Sequence, residues 1–171
     1  SACGGGGGTC TPSGSLVGTV YGETTATTQS VEFDAIGFID LGPDANGVEQ
    51  AFMLGYATNG AYSGCDKIND IASGGDAGGW YFEAMMEDVA STASSICFGA
   101  NCSADITSSF LPFQRASGTC SGTACEVDIA PGISGQGTVT AYSTQTGVEF
   151  SGISMSSSTG SSLSASALTV C

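Results

Sequence analysis

The sequence predicts an all-β fold: a single disulfide-stapled antiparallel β-sandwich or barrel-like domain behind a flexible Gly-rich N-terminal arm. Three observations carry this expectation. Apolar residues recur at alternate positions in short runs, the mark of strands with one buried face. Gly, Asn, Asp and Ser punctuate those runs at turn positions. Eight cysteines occur in 171 residues that contain no histidine, an even count that argues for disulfides over a metal centre.

The elements follow in order. Residues 1–15, SACGGGGGTCTPSGS, form the arm. Five consecutive glycines, Gly4 to Gly8, hold no single conformation cheaply in entropy. Residues 16–171 form one all-β domain, opening with the alternating run LVGTVY at 16–21. In VEFDA (31–35), Val31, Phe33 and Ala35 share a face. Ile36 and Phe38 then take over near Gly37, a phase slip that a β-bulge produces. Residues 36–57 read as a hairpin turning at Pro43-Asp44 and Asn46-Gly47, after which Phe52, Leu54 and Tyr56 alternate with Ala51 and Met53. Residues 58–79 are rich in Gly, Asn and Asp, with a short helical turn expected over CDKINDIA (65–72).

The run WYFEAMMEDVAST (80–92) fits two patterns. Phe82, Met85, Met86 and Val89 make a helical stripe; Trp80, Phe82, Ala84 and Met86 make a strand face. Gly78-Gly79 ahead of it and its aromatic content favour the strand. Three further strands, at 137–144, 147–156 and 161–171, are joined at Thr146-Gly147 and Ser158-Thr159-Gly160. Their spacing is that of a β-meander. The last is expected to turn Leu163, Ala165 and Ala167 inward.

The spacing C-x4-C occurs twice, as Cys97-FGAN-Cys102 and Cys120-SGTA-Cys125. A turn of that length brings two Cα atoms within bridging distance, so Cys97–Cys102 and Cys120–Cys125 are predicted as local disulfides. Iron–sulfur and zinc sites use other spacings. Cys3, Cys10, Cys65 and Cys171 complete the disulfide set with their pairing open, Cys171 reading as a staple on the last strand. No cofactor or metal is expected, and the disulfides imply an extracellular or cell-surface location. A chain opening at Ser1 rather than Met is what removal of a secretion signal leaves.

Formal net charge is -14, with 16 acidic residues against Lys67 and Arg115. Such a surface repels nucleic acid and anionic lipid, so neither is an expected partner. No apolar run reaches the roughly 20 residues of a transmembrane segment. Without histidine, a serine nucleophile lacks the usual base. Asp34 with Asp40, or Glu83 with Glu87, are the carboxylate pairs a glycoside hydrolase would need; on hairpin faces such groups are normally solvated, and no enzymatic activity is expected. DLGPDANGVE (40–49) gathers Asp40, Asp44, Asn46 and Glu49 but misses the EF-hand pattern. It reads as a polar turn in preference to an irregular Ca²⁺ loop, as does the cluster Asp66, Asn69, Asp70 and Asp76. Asn101-Cys102-Ser103 fits a glycosylation acceptor, with Cys102 expected in a disulfide.

Ser1-Ala2-Cys3 followed by glycines resembles a lipoprotein signal with its tether. GSLVGTVYGE (14–23), Phe38-Ile39, GCDKIND (64–70) and SGQGTVTAYSTQTGVEFSGISMSSSTGSSLSASALTVC (134–171) extend the likeness. The chain resembles small exported lipoprotein-like surface proteins of myxobacteria and related Gram-negative bacteria. That resemblance implies an all-β surface protein with no catalytic residues; the retained Ser1-Ala2 and the extra cysteine pairs depart from it. The functional expectation is an extracellular structural subunit, at a cell surface or in a pilus-like filament. It would self-associate into a homopolymer by strand addition through the arm. The alternative is a surface-anchored binding module for Ca²⁺ or glycans, the latter using Trp80 and Tyr81.

Overall fold

The structure, a computed structural model, describes residues 10–57, 79–89, 92–100, 102–115, 126–145 and 147–171. The described residues form strands and turns and contain no helix. The expected segments appear as β1 (Leu16–Gly22), β2 (Thr27–Pro43), β3 (Glu49–Ala57) and β4 (Trp80–Glu87). They are followed by β5 (Ser94–Phe98), β6 (Ile106–Ser108), β7 (Leu111–Arg115) and β8 (Glu126–Ile129), and by β9 (Ser134–Ser143), β10 (Gly147–Ser156) and β11 (Ser162–Val170). The helical turn expected over 65–72 lies outside the described residues.

Of the two architectures expected, the chain takes the barrel and not the sandwich. The order β3-β2-β1-β11-β10-β9-β5-β6-β4 returns to its start because β4 also pairs with β3, from Gln50↔Glu87 to Tyr56↔Tyr81. Neighbours are antiparallel except β5 and β6, which run parallel through Ile96↔Ile106. This is one departure from the antiparallel expectation. Strands β7 and β8 continue as a ribbon from β4, where residues 80–83 pair with 111–114 while Met86 and Glu87 pair with β6. Closure removes most of the edges that an open sheet exposes.

Alternation decides what faces inward. Val31, Phe33 and Ala35 are buried, the ladder to β3 then slips between Phe33 and Ala35, and Ile36 follows as the next buried residue. A second slip lies between Asp40 and Gly42. The interior is apolar and rich in rings. Phe82 packs edge-on to Phe33 at 5.1 Å and tilted on Phe110 at 5.0 Å. Gly55 opposes Phe82, and a Cβ there would run into the ring. Truncating such a buried ring to Ala costs about 3–5 kcal/mol. Outward positions on β9, β10 and β11 are mostly Ser, Thr, Gln and Glu. Apolar-in, polar-out is the reverse of a membrane barrel.

A smaller apolar cluster covers the outside of the β3–β4 wall. Tyr81 stacks on Phe113 at 5.5 Å and tilts against Tyr56 at 4.7 Å, with Leu54 and Ile129 packed alongside. Trp80 is buried in the barrel instead, its indole N–H donating to Gln29 Oε1 at 3.0 Å. Both aromatics offered for a glycan face are therefore buried, Trp80 in the barrel and Tyr81 against Phe113 outside its wall. Ala167, expected inward, is exposed. Buried Leu163 and Ala165 are followed by buried Leu168 and Val170, so β11 changes phase between them. Strand β10 does the same between Phe150 and Ile153, at Gly152 with φ 60°.

Two disulfides lie among the described residues. Cys97–Cys102 forms as expected, with a Cα separation of 5.8 Å. Cys10–Cys171 joins the two chain ends at 5.9 Å across 161 residues of sequence. Cys3, Cys65, Cys120 and Cys125 lie outside the described residues. Of the residues assigned to the arm, those from Cys10 are docked, since Ser13 exchanges both backbone hydrogen bonds with Thr169, at 3.2 and 2.9 Å. Residues 10–15 thus extend β1 along β11, and residues 1–9 lie outside the described residues.

Candidate functional site

The end of the barrel that carries the β2–β3 turn gathers the described groups with the most perturbed chemistry. The turn itself is local. Asp44 Oδ1 accepts from the amides of Asn46 and Val48 at 2.7 and 2.9 Å, and Gly47 sits at φ 81°. Asp44 Oδ1 is thereby engaged by backbone, and the segment forms the β2–β3 turn. No three described Asp, Glu or Cys residues converge as a metal set. The second acidic cluster, Asp66, Asn69, Asp70 and Asp76, lies outside the described residues, as does Asn101.

Just below the turn, Asp40 points inward, paired across the ladder with buried Ala51. Tyr142, near the end of β9, crosses the interior and donates its hydroxyl to Asp40 Oδ1 at 2.9 Å. Its ring meets Phe38 edge-on at 5.7 Å. The Gly42 amide also donates to Asp40 Oδ1, at 3.2 Å. Glu49 lies opposite Pro43 on the same ladder. Desolvation, then a hydrogen bond with Asp40, then the charge of Asp40 push the Glu49 carboxyl above its ordinary 4.5. Burial, the hydrogen bond to Asp40, and the Asp40 and Glu49 charges drive the Tyr142 phenol far above the usual tyrosine range. Tyr142 is therefore a fixed donor at any physiological pH.

The carboxylate pairs expected from sequence are not brought together. Asp34 lies on the outer face, where its charge raises the Tyr56 phenol after desolvation has done so. Asp40 faces in, and six residues of strand separate them by roughly 20 Å. Glu83 and Glu87 share the exposed outer face of β4, about 13 Å apart along the strand. Neither spacing spans a glycosidic bond, where about 5–9.5 Å is needed. An open groove of about 760 Å³ between β4 and β6 is lined by Glu87, Thr107, Ser108, Phe110 and Ile133 among others.

Two features went unread in the sequence. Strand β2 is paired to β1 only as far as Leu16↔Phe33, so residues 34–43 have β3 as their sole described ladder partner. On that stretch Ile39 and Leu41 are 55% and 48% exposed. The overhang follows from the lengths the strands take, 17 residues in β2 beside 7 in β1. At the opposite end, Asp128 is buried and clamps the ribbon to the β1–β2 turn. Its carboxylate accepts from the Thr24 amide at 2.8 Å and the Thr25 hydroxyl at 2.6 Å. Nothing local in the sequence announces that pairing.

Comparison with protein-family models, with curated proteins and with solved structures gives no match.

Proposed function

We propose that this chain is an extracellular, non-enzymatic structural subunit, at a cell surface or in a filament, that joins neighbouring copies by strand addition. The observation that supports this reading is the overhang of β2. An extended strand with one bonded edge presents a row of backbone donors and acceptors to any incoming strand. Here the row is 10 residues long, from 34 to 43, and carries exposed Ile39 and Leu41. Of the devices that normally protect such an edge, residues 34–43 carry the ladder slip between Asp40 and Gly42 and the terminal Pro43, and no lysine. The two described disulfides suit an oxidising compartment. A strand passed to a neighbour's β2 makes a head-to-tail contact, which propagates when the rotation does not close.

The test is sedimentation and electron microscopy of the concentrated protein beside the double variant Ile39→Lys, Leu41→Lys. Both side chains are exposed, so the barrel should fold. Polymers in the wild type that vanish in the variant support the reading; polymers in both, or in neither, overturn it. Removing residues 1–9 from the wild type then asks whether they donate the strand.

A further inference from the structure

We propose that residues 10–15 are an exchangeable strand: the segment leaves its own β11, lies on β11 of a second copy of the chain, and bridges its Cys10 to Cys171 of that copy. The acceptor edge is β11 and not the β2 overhang, so exchange and strand addition at β2 stand or fall separately.

The seam between this segment and β11 is lightly built. The β1–β11 ladder runs from Thr19↔Ser162 to Val17↔Ser164 and resumes at Ser13↔Thr169. Residues 14–16 there face residues 165–168, three against four, which is a bulge on β11. Gly14 turns the segment back onto β11 at φ 77°, so close that a Cβ would strike the Ala167 carbonyl. None of residues 10–15 is buried. Leu16, the next residue, is buried and paired with Phe33. Before it, the described ties are the two Ser13–Thr169 hydrogen bonds, one from the Ser15 hydroxyl to Glu32 Oε1 at 3.1 Å, and the disulfide. A segment with no core side chain and a left-handed glycine near its base detaches without opening the barrel. On a second copy it regains the same contacts, the condition for strand swapping between identical chains.

The bridge is placed for exchange as well. Cys10 and Cys171 are both half-buried, and Cys10 lines a groove of about 360 Å³ with Thr11, Tyr142, Glu149 and Thr169. Cys97, in the other described disulfide, is 1% exposed. A small thiolate therefore reaches the Cys10–Cys171 bridge first. It attacks Cys10 Sγ, the S–S bond breaks, and Cys171 leaves as thiolate. Once the segment has moved, the Cys171 thiolate of the second copy attacks the mixed disulfide at Cys10 Sγ and expels the small thiolate. Each chain owns one such disulfide before and after, so the step is redox-neutral and the thiol is a catalyst. The formal charge of -14 disfavours an anionic thiol and favours a cationic one.

The test mixes heavy-nitrogen and unlabelled protein in equal parts, concentrated, with a catalytic amount of cysteamine. Thiols are then blocked, the protein is digested, and the peptide pair joined by Cys10–Cys171 is weighed and assigned by fragmentation. Heavy–light pairs, absent at the start, should rise toward the statistical share of an equal mixture. Non-reducing electrophoresis should show covalent pairs where the exchange closes and ladders where it propagates. In that covalent product the Thr169 amide, which donates to Ser13 O at 2.9 Å, should stay protected from hydrogen exchange. Heavy–heavy and light–light pairs alone after prolonged incubation overturn the proposal, and so do heavy–light pairs with an unprotected Thr169 amide. The Ile39→Lys, Leu41→Lys variant separates the two contacts. Heavy–light pairs undiminished in that variant, with no sedimenting polymers in the wild type, uphold exchange and remove addition at β2. Polymers lost in the variant, with no heavy–light pairs in either protein, do the reverse.

Discussion

The hairpins β2–β3 and β10–β11 close with the same turn and then diverge. In the first, the Asp44 amide donates to Val48 O at 2.8 Å and the Gly47 amide to Asp44 O at 3.0 Å. In the second, the Ser157 amide donates to Ser161 O at 2.9 Å and the Gly160 amide to Ser157 O at 3.4 Å. Each turn adds a side-chain acceptor from its first residue, Asp44 to the Val48 amide and Ser157 to the Ser161 amide, at 2.9 and 3.0 Å. Both are three-residue loops ending on a left-handed glycine, Gly47 at φ 81° and Gly160 at φ 114°. Beyond the turn, β10 and β11 keep one register from Ser156↔Ser162 to Val148↔Val170, and β10 is flanked by β9 on its other side. The β2–β3 ladder slips twice, and beyond Phe33 no described strand pairs with the other edge of β2.

The lesson is that turn chemistry sets where a hairpin folds, whereas its surroundings set whether it is finished. The faces differ in the same sense. Across β9, β10, β11, β1 and β2, Ser134, Ser156, Ser162, Thr19 and Ser30 align as one rank of neutral hydroxyls. The β2–β3 end carries Asp40, Asp44 and Glu49 instead.

The largest expected effect makes the finished hairpin resemble the open one. The Cys10–Cys171 bridge pins residues 10–15 along β11. Loop-closure entropy for so long a loop is about 5 kcal/mol as an upper figure. Cys171→Ser should lower the denaturant midpoint sharply and expose the outer edge of β11 from 165 to 170. Hydrogen exchange confined to those amides, ahead of β10, is the check. An unchanged midpoint would mean that the Ser13–Thr169 bonds alone hold the seam.

The next effect sharpens the contrast between the two ends of β2. Asp128 grips the β1–β2 turn at one end, and the Asp40–Glu49 pair sits at the other. Burial alone raises the Asp128 carboxyl, but hydrogen bonds from the Thr25 hydroxyl and the Thr24, Thr25 and Ile129 amides outweigh it and hold it below the ordinary 3.8. A lowered carboxyl contributes stability that is present above its unfolded value and lost as pH falls through the folded one. Glu49 has the opposite sign. Acid below about pH 4 should therefore release the ribbon end. Asp128→Asn should cost about 1.5–3 kcal/mol at neutral pH, the range for hydrogen bonds to a charged group. It should also flatten the acid limb of a urea-midpoint against pH profile. Retention of that limb would place the acid sensitivity elsewhere.

How much of this was legible in sequence follows the range of each interaction. The β2–β3 turn could be read from Asn46-Gly47, and the strand over Trp80–Glu87 from Trp80, Phe82, Ala84 and Met86, because period and turn residues are local. Cys97–Cys102 was readable for the same reason. Barrel closure was not, since it depends on β3 meeting β4 and on β5 and β6 inserting between β9 and β4. Ala167 was misassigned because a strict period of two ignores the phase change that Gly152 allows next door. The Tyr142–Asp40 bond spans 102 residues and the Thr24–Asp128 bond 104. Neither pair carries a motif. Burial of Trp80 and Tyr81 could be weighed in sequence but not decided, since aromatic side chains fill cores and surfaces alike.

The smallest effect tests whether the two turns are interchangeable. Asp44→Ser and Ser157→Asp each keep an oxygen that can accept from the amide four residues on. Asp44→Ala and Ser157→Ala remove it, and each should cost about 1 kcal/mol, the usual worth of such a bond. The swaps should cost less than the deletions, and unequally. Asp44→Ser gives up a charged acceptor but withdraws one carboxylate from beside Asp40 and Glu49, so the two changes offset. Ser157→Asp gains the stronger acceptor and places a charge on a turn whose other residues, Ser158 to Ser161, are neutral. It should be neutral or slightly stabilising in denaturant midpoint. Salt separates the terms: the benefit of Asp44→Ser should shrink as ionic strength rises, because it relieves repulsion at an exposed site. A Ser157→Asp variant as damaging as Ser157→Ala would show that the turns share a backbone path without sharing their side-chain chemistry.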